Sequence, residues 1–201
     1  MWIGTTAGKI YRISTVDGTI TSNPDILGAI YTSPNETAGF VADPSKNTHF
    51  IYFGSDDGKL YCRKSDNLSI KPGPWTDFST GSPIRSSPYF DGNYLYFGCD
   101  NGKMYKIDAT SGTIQWEYQT NGKIRTDPIV VSSGTTGSIN YVYFGSDDGC
   151  FYALNADNGK LKTGFPILTG AEIRSSPRYD YYNNRIIFGS NDGKLYYLPV
   201  E

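Results

Sequence analysis

The chain has 201 residues and a mass of 22.2 kDa. Its 23 glycines and 11 prolines make up about 17 % of the residues, against roughly 12 % in average proteins, and aromatic residues reach 15 %. This composition disfavours a helical protein and indicates a β-rich globular chain. The 18 basic and 20 acidic residues leave a net charge of −2, which excludes the basic field that nucleic acids and anionic membranes require.

The sequence says little about the compartment. No apolar run approaches the roughly 20 residues of a membrane span. Met1 leads directly into strand-like sequence without the regions of a signal peptide. We therefore expect either a cytosolic protein or one whose leader is absent from this sequence. Cys62, Cys99 and Cys150 form no Cys-x-x-Cys motif, and their odd number leaves one thiol unpaired within the chain, so the redox state stays open.

An internal repeat runs through the whole chain. Five segments align without gaps, and the glycine in their third position recurs at steps of 50, 44, 47 and 44 residues. This spacing is typical of propeller blades. The segments are WIGTTAGKIYR (2–12), YFGSDDGKLYC (52–62), YFGCDNGKMYK (96–106), YFGSDDGCFYA (143–153) and IFGSNDGKLYY (187–197), with the glycine at Gly4, Gly54, Gly98, Gly145 and Gly189.

Each repeated segment predicts a β-hairpin. Two aromatic or β-branched runs flank a pair of turn residues that tolerate positive φ, and only the first copy departs, with Ala7-Gly8. Apolar residues on both faces of these runs indicate strands packed between two neighbouring sheets. The turn pairs are Asp57-Gly58, Asn101-Gly102, Asp148-Gly149 and Asp192-Gly193.

Two further elements accompany the hairpins. A segment with isoleucine first and proline fifth precedes four of them, and each segment is followed by a short apolar stretch such as Ile129, Val130 and Val131. Since proline is acceptable at a strand start, we interpret this element as the innermost strand of a blade, bordering the central channel. A turn such as Ser111-Gly112 follows the hairpins and leads into a short run that we expect to be the outer, more exposed strand. The isoleucine segments are IYTSP (30–34), IRSSP (84–88), IRTDP (124–128) and IRSSP (173–177).

The elements add up to 18 strands, which predicts an all-β propeller of four-stranded antiparallel blades. Three blades are complete, whereas the first lacks an inner strand and the last lacks an outer one. We therefore expect a partial ring with open blade edges, which are sites of possible self-association. The predicted single domain, 1–201, has blades at approximately 1–23, 27–80, 82–120, 123–168 and 171–201.

The segments YLYFGCDNGKMYKIDATSGTIQW (94–116) and YVYFGSDDGCFYALNADNGKL (141–161) resemble the repeat of the PQQ-like, or quinoprotein dehydrogenase-like, β-propellers, which include outer-membrane assembly scaffolds. The resemblance covers essentially the whole chain. It implies that Trp116 is the tryptophan that closes a blade against the next repeat. It also implies a periplasmic or cell-surface location, and rings of seven or eight blades, of which this chain would be a part.

The same resemblance bears on cofactors. Dehydrogenases that resemble methanol dehydrogenase place two adjacent cysteines against the quinone and use a calcium-linked aspartate base. The sequence contains no Cys-Cys pair. We therefore expect that the chain binds neither pyrroloquinoline quinone nor calcium.

Three arginines form the sharpest candidate site. Arg85, Arg125 and Arg174 occupy one repeat position in successive blades, and Tyr31 holds that place in the blade before. Equivalent positions converge toward one end of a propeller channel, so these side chains could bind carboxylate or phosphate groups of a ligand or partner. The alternative, which we favour, is that each arginine joins adjacent blades by hydrogen bonds to carbonyl groups or by stacking on a tyrosine.

The acidic turns are a second candidate. Adjacent acids in a tight hairpin bring too few oxygens together for a calcium loop, and we expect them to accept hydrogen bonds from the amides of their own turns. No metal site is predicted. The acids are Asp56, Asp57, Asp100, Asp147, Asp148 and Asp192.

No catalytic residue is predicted. His49 is the only histidine, so a two-histidine metal site is impossible and a Ser-His-Asp triad has a single base to use. We therefore expect a non-catalytic scaffold that binds a protein partner. The alternatives are a fragment of a quinone-dependent dehydrogenase, or a carbohydrate-binding surface module that uses tyrosine pairs such as Tyr181-Tyr182 and Tyr196-Tyr197.

Overall fold

The computed structural model of the chain describes residues 1–23, 28–33, 35–37, 50–65, 68, 77–132 and 140–200. All regular secondary structure in these ranges is β-strand, and the strands form five sheets. The first sheet contains β1 (Trp2–Gly4), β2 (Ile10–Ile13) and β3 (Ile20–Asn23); the second β4 (Asn35–Thr37), β5 (Phe50–Gly54), β6 (Lys59–Lys64) and β7 (Asp77–Ser79); the third β8 (Tyr89–Phe90), β9 (Tyr94–Gly98), β10 (Lys103–Asp108) and β11 (Ile114–Gln119); the fourth β12 (Ile129–Ser132), β13 (Asn140–Gly145), β14 (Cys150–Asn155) and β15 (Ile167–Leu168); and the fifth β16 (Arg178–Asp180), β17 (Arg185–Gly189) and β18 (Leu195–Pro199).

The sheets are antiparallel meanders in which strands pair in chain order. They contain three, four, four, four and three strands in the described part of the chain, so the prediction of three complete blades between two partial ones is confirmed. The innermost strands of neighbouring sheets contact each other, β4 with β8 and β12 with β16. Together the sheets form an open ring of the β-propeller class.

Tight hairpins join the second and third strands of each complete blade. Gly58, Gly102 and Gly149 have φ values of 83°, 80° and 81°, and Gly193 in the fifth sheet has 83°. Only glycine adopts this conformation without strain, which is why the turns carry Asp-Gly or Asn-Gly. The hairpins set the register, which places Gly98 opposite Met104 in the third sheet.

The predicted inner strands are present, and Ile129, Val130 and Val131 lie in one of them, but the isoleucine segments themselves are not strands, so the predicted starts are wrong. The inner strands begin one residue after the proline: β8 follows Pro88, and β12 follows Pro128. Proline has no N–H for strand pairing, and a hydroxyl of the segment bonds to the second strand instead. In the fourth sheet, the Thr126 hydroxyl accepts a hydrogen bond of 3.0 Å from the Gly145 amide and donates one of 3.0 Å to the Gly145 carbonyl. The Ser175 hydroxyl makes both bonds with Gly189, and the Ser86 hydroxyl accepts a hydrogen bond of 3.0 Å from the Gly98 amide.

The core lies between the sheets. Four hydrophobic clusters each join two neighbouring sheets, so that every described interface has its own apolar filling. Each of the last four sheets also stacks a phenylalanine on a tyrosine across its central hairpin, with ring centroids 5.0–5.3 Å apart. The pairs are Phe53 with Tyr61, Phe97 with Tyr105, Phe144 with Tyr152, and Phe188 with Tyr196.

A glycine and an isoleucine meet at every interface between neighbouring sheets. A Cβ atom built on Gly98 would lie 2.2 Å from Cγ2 of Ile124, which comes from the segment preceding the fourth sheet. The Ile124 amide also donates to the Cys99 carbonyl at 3.1 Å. The glycine is required because the isoleucine side chain occupies the space of its missing side chain. The other pairs are Gly4 with Ile30, Gly54 with Ile84, and Gly145 with Ile173.

Trp116 makes a further contact between the third and fourth sheets. Its side chain is 9 % exposed, and its indole N–H donates to the Ala156 carbonyl at 3.0 Å. The ring lies so close to Gly159 that a Cβ there would be 2.9 Å from Cδ2 of Trp116. The same Ala156 carbonyl accepts a hydrogen bond of 2.8 Å from the buried Lys106 ammonium. Trp116 therefore packs on the following repeat.

Candidate functional site

The three arginines and three turn aspartates form a continuous row at one end of the ring, which we call the ladder: Asp56, Arg85, Asp100, Arg125, Asp147 and Arg174. Each arginine donates two hydrogen bonds, from two guanidinium nitrogens, to the aspartate of the preceding sheet. The N···O distances are 2.8 and 2.8 Å for Arg85 with Asp56, 2.8 and 2.9 Å for Arg125 with Asp100, and 3.1 and 3.3 Å for Arg174 with Asp147.

The backbone fixes both partners of every ladder pair. Asp100 follows β9, and its amide donates to the Pro83 carbonyl at 2.9 Å, within its own repeat. Arg125 follows Ile124, whose amide bond to Cys99 and packing on Gly98 anchor it to the third sheet. Because both backbones are held, little side-chain freedom is lost when the bidentate pair forms.

Longer contacts join these pairs to one another. The third guanidinium nitrogen of Arg85, Nη1, lies 3.7 Å from Asp100, and Nη1 of Arg125 lies 4.0 Å from Asp147. The Lys123 ammonium also lies 3.7 Å from Asp100. Each aspartate in the middle of the ladder thus faces cations from more than one repeat. The arginines therefore join neighbouring sheets through carboxylates rather than through carbonyl groups.

Tyr31 stands at the beginning of the ladder. The Arg85 guanidinium lies over its ring, 5.3 Å from the centroid, in a cation–π contact. Tyr31 holds the arginine position of its own repeat, and the turn residue at the aspartate position of the preceding sheet is Thr6. The arginine and the aspartate are therefore replaced together.

Neighbouring charges and burial shift the pKa of the Asp100 carboxyl in opposite directions. Burial raises the pKa of this carboxyl, but the hydrogen bonds and charge of Arg125, with the charges of Lys123 and Arg85, outweigh it and hold the pKa below its usual value. The hydrogen bonds to Asp100 raise the pKa of Arg125 correspondingly. Asp100 is thus held as a carboxylate in the folded protein.

We expect Asp100→Asn to lower the free energy of unfolding by about 2 kcal/mol at neutral pH, because it removes charge-assisted hydrogen bonds to Arg125. The pKa of Asp100 is lower in the folded protein than in the unfolded chain, where it is roughly 3.9. The carboxylate therefore stabilises the folded state at any pH above the unfolded pKa, and this stabilisation is lost as the pH falls through the folded pKa. Urea denaturation at pH values from neutral to strongly acidic should therefore show a smaller fall in the free energy of unfolding for this variant than for the wild type. The control is Asp157→Asn in an exposed turn; equal acid losses for wild type and Asp100→Asn would contradict the prediction.

The ladder presents its two signs of charge unequally to solvent. The Asp100 and Asp147 side chains are 7 % and 11 % exposed, whereas those of Arg174 and Lys123 are 47 % and 50 % exposed. Asp100 and Asp147 thus lie beneath, whereas Arg85, Arg125 and Asp56 are all partly exposed, at 32 %, 22 % and 22 %. A partner approaching this end meets the positioned cations of Arg174 and Lys123, together with the Glu172 carboxylate that lies 3.1 Å from Arg174.

The remaining turn acids cap their own hairpins. Asp148 accepts a 3.0 Å hydrogen bond from the Cys150 amide and a 2.8 Å bond from the Tyr152 hydroxyl, and Asp192 repeats both contacts with Lys194 and Tyr196. Asp57 likewise accepts hydrogen bonds from the Lys59 amide and the Tyr61 hydroxyl. Two of them also accept a hydrogen bond from the preceding repeat: Asp148 from the Asn121 amide at 3.0 Å, and Asp192 from the Gly170 amide at 3.1 Å.

The inner strands border a cleft of about 380 Å³ that sequence reasoning did not identify. Its residues form a row of hydrogen bonds across sheets: the Ser33 amide donates to Ser87 at 2.9 Å, the Ser87 amide to Asp127 at 2.6 Å, and the Asp127 amide to Ser176 at 2.9 Å. All four hold the fourth position of the isoleucine segments, which is the signal that could have found them. The ladder arginines do not line this cleft.

Metal and redox groups are sparse in the residues that the structure describes. Within those ranges, no cluster of three or more His, Cys, Asp or Glu side chains is placed to hold a metal ion. No disulfide joins Cys62, Cys99 and Cys150, and burial raises the pKa of the Cys99 and Cys150 thiols. His49 lies outside the described residues. The expectation that neither quinone nor calcium binds stays a prediction.

Exposed tyrosines concentrate in the fifth sheet. The turn between β16 and β17 carries Tyr181 and Tyr182, which are 78 % and 95 % exposed, with ring centroids 6.1 Å apart. Tyr196, by contrast, stacks on Phe188. Carbohydrate binding by these rings stays a prediction.

Comparisons with known proteins agree on the architecture. A family model, PQQ_2, described as outer membrane protein assembly factor BamB, matches residues 51–200. No curated protein matches the chain. The described residues contain no helix with the length and apolar character needed to cross a membrane.

Solved propeller structures superpose on nearly the whole chain. BamB from Moraxella catarrhalis has a TM-score of 0.70 at 18 % identity, covering 98 % of this chain and 54 % of that one. The WD40 propeller domain of Doa1 has a TM-score of 0.70 at 16 % identity, with coverages of 100 % and 60 %. BBS1N, crystallised with ARL6DN, has 0.70 at 14 %, with 100 % and 56 %. At these identities the likeness shows the fold, and this chain spans between half and two thirds of each neighbour.

Proposed function

The chain belongs to the PQQ_2 family of β-propellers, the family described as outer membrane protein assembly factor BamB, and on this premise we propose that it is a non-catalytic scaffold that binds other proteins. A propeller fold by itself supports many functions, so the proposal depends on a site. The neighbours BamB and BBS1N are named for an assembly role and for a complex with another protein, which supports a scaffold.

The observation that carries the proposal is the exposed cationic edge of the ladder. Ionised side chains that are held in bidentate pairs need no reordering when a partner arrives, which lowers the entropic loss on binding. Arg174 ends the row as its most exposed arginine, and its guanidinium also lies 3.1 Å from the exposed carboxylate of Glu172, so an acidic group of a partner would compete with Glu172 for it. We expect the partner to present acidic side chains to this edge.

The family description supports a location for the proposed scaffold. It names an outer membrane protein assembly factor, and we therefore propose that this chain acts in the periplasm or at the cell surface. The small net charge of −2 leaves binding to depend on the local arrangement of charges rather than on an overall field.

Site-specific photo-cross-linking in the source cells tests the proposal. A photoreactive residue at Lys123, whose ammonium lies 3.7 Å from the ladder residue Asp100, should capture one defined protein. The same residue at Lys160 should not, because Lys160 lies beside the turn at the opposite end of the sheet. Charge reversal by Arg174→Glu should remove the cross-link from Lys123. Capture that is equal at both positions, or that survives the reversal, would count against the ladder as the binding surface.

A further inference from the structure

Three asparagines in the chain are followed by glycine: Asn101, Asn121 and Asn158. In such a pair the amide nitrogen of the glycine can attack the side-chain carbonyl carbon of the asparagine, because glycine has no side chain to shield that nitrogen. A new N–C bond closes a succinimide ring, the bond to the side-chain nitrogen breaks, and ammonia leaves with the proton of the glycine N–H. Water then opens the ring to aspartate or isoaspartate. The reaction requires a free asparagine side chain and a glycine N–H that no hydrogen bond holds.

The pair Asn101-Gly102 lies in the central hairpin of the third sheet, and both of its reacting groups are engaged. The Asn101 side chain accepts a hydrogen bond of 2.9 Å from the Lys103 amide and donates one of 2.8 Å to the Tyr105 hydroxyl. The Gly102 amide donates to the Cys99 carbonyl at 3.0 Å. Attack requires these hydrogen bonds to break, so the fold protects Asn101.

The pair Asn158-Gly159 lies in the turn after β14 and is protected in the same way. The Asn158 side chain accepts a hydrogen bond of 3.0 Å from the Lys160 amide. The Gly159 amide donates to the Asn155 carbonyl at 2.9 Å. Local opening of this turn must therefore precede attack.

The pair Asn121-Gly122 differs from the other two. It lies in the connection between β11 and the isoleucine segment of the fourth sheet, and the Asn121 side chain is exposed. No hydrogen bond within the described residues holds this side chain or the Gly122 N–H. The backbone is nevertheless fixed, since the Asn121 amide donates to Asp148 at 3.0 Å and a Cβ on Gly122 would lie 2.3 Å from the Asp148 amide nitrogen. The attacking nitrogen is thus held in place, whereas the side chain that must reach it is free to rotate.

The repeat shows that the fold does not need this asparagine. Other repeats carry Gly81 and Gly170 at the same position, and the Gly170 amide makes the same contact, with Asp192 at 3.1 Å. Gly122, by contrast, is required in its interface, because the backbone of Asp148 occupies the space of a side chain there. Packing therefore maintains the glycine that makes the pair reactive and leaves the asparagine side chain without a structural role.

We propose that Asn121 is a site of spontaneous deamidation, which converts an uncharged side chain beside the ladder into a carboxylate. Asn121 and Lys123 line one groove of about 210 Å³ together with the ladder residue Asp100. A carboxylate at residue 121 would attract the exposed Lys123 ammonium and lower the positive potential at this end of the ring. This consequence rests on the proposed function, since a partner that presents acidic groups should then bind more weakly.

Peptide mass spectrometry of the folded chain, aged at mildly alkaline pH, tests the site. Exchange of the amide for a carboxyl group should be about tenfold or more faster at Asn121 than at Asn101 or Asn158, because attack at those two must first break hydrogen bonds. In guanidinium chloride all three should react at similar rates, because glycine follows each of them. Asn121→Gln should abolish the exchange at this position, because the longer side chain closes a ring much more slowly. The proposal is overturned if the folded chain modifies Asn121 no faster than the other two asparagines.

Asn121→Asp carries the charge of the product and tests its effect on the ladder. Binding of a fluorescent poly-aspartate peptide, which supplies the acidic groups, should weaken about threefold or more at low salt. Asn158→Asp adds the same charge at the opposite end of the sheet and should leave the affinity within about twofold of the wild type. If Arg174→Glu weakens binding and Asn121→Asp does not, the effect on the ladder is overturned. If neither weakens it, the proposed function is contradicted, whereas the deamidation site stands or falls with the mass spectra.

Discussion

Replacement of Gly98 by valine is expected to lower the free energy of unfolding by about 3 kcal/mol or more, because the new side chain would overlap Ile124 in a packed interface. The contact distance of 2.2 Å from a built Cβ leaves no space, and the other side of the overlap is a branched, fully buried residue. The backbone of Gly98 is not in the positive-φ region, so the loss comes from packing alone.

Gly189→Val is the matched control, because it makes the same substitution at the same repeat position on a face that no other described sheet covers. Its expected effect is below about 0.5 kcal/mol, as for ordinary surface substitutions. Urea denaturation followed by tyrosine and tryptophan fluorescence measures both variants. Equal destabilisation at the two positions would show that the glycine serves the hairpin rather than the interface.

Trp116→Ala should be the second severe variant, with a loss of about 3–5 kcal/mol. The substitution removes a large ring from the contact with Gly159 and Tyr96, and it removes the indole hydrogen bond to Ala156. Trp116 lies on β11, the outermost strand of its sheet, where replacement of a solvent-facing residue would change the free energy of unfolding little. A large decrease in this free energy would therefore show that Trp116 contacts the next repeat.

Trp116→Phe separates the ring from its hydrogen bond. It keeps most of the apolar contact and loses the N–H donor, so we expect a loss of about 1–2 kcal/mol. Denaturation curves for the two variants provide the measurement. A loss below about 1 kcal/mol for Trp116→Ala would contradict the interface described between the third and fourth sheets.

Much of the fold could be predicted from local pattern. Asp-Gly and Asn-Gly pairs determine the backbone of the turns directly, so Gly58 and Gly102 identify hairpins without reference to the rest of the chain. The regular return of these hairpins predicts the number of strands and the three complete blades. These features depend on residues that are close in sequence, and a repeat shows them several times.

Contacts between repeats were harder to predict. The pairing of Gly98 with Ile124 joins residues from different blades, and nothing local shows which isoleucine covers which glycine. The sequence predicts too early a start for the inner strand, because a proline is acceptable at a strand start. In the structure the Ser86 hydroxyl, rather than a backbone carbonyl, accepts the hydrogen bond from the Gly98 amide at this place. Only the packed structure shows that an isoleucine segment contacts both the preceding sheet and its own sheet.

The ladder lies between these cases. Arg125 and Asp100 each recur at a repeat position, but charge alone does not indicate that they pair across sheets. A signal was present, since Thr6 and Tyr31 replace the aspartate and the arginine in the same interface. The burial of Asp100 and Asp147 depends on the backbone positions that the interfaces set, and the residue types alone do not predict it.

The most direct measurement of the scaffold function is the affinity of the protein captured from Lys123 for the chain at several salt concentrations. Arg174→Glu should weaken binding by about tenfold or more at low salt and reduce its salt dependence, because the partner's acidic groups lose a cation and meet a like charge. Lys160→Glu changes the net charge equally at the opposite end and should leave the affinity within about twofold of the wild type. Equal effects of the two reversals would contradict binding at the ladder.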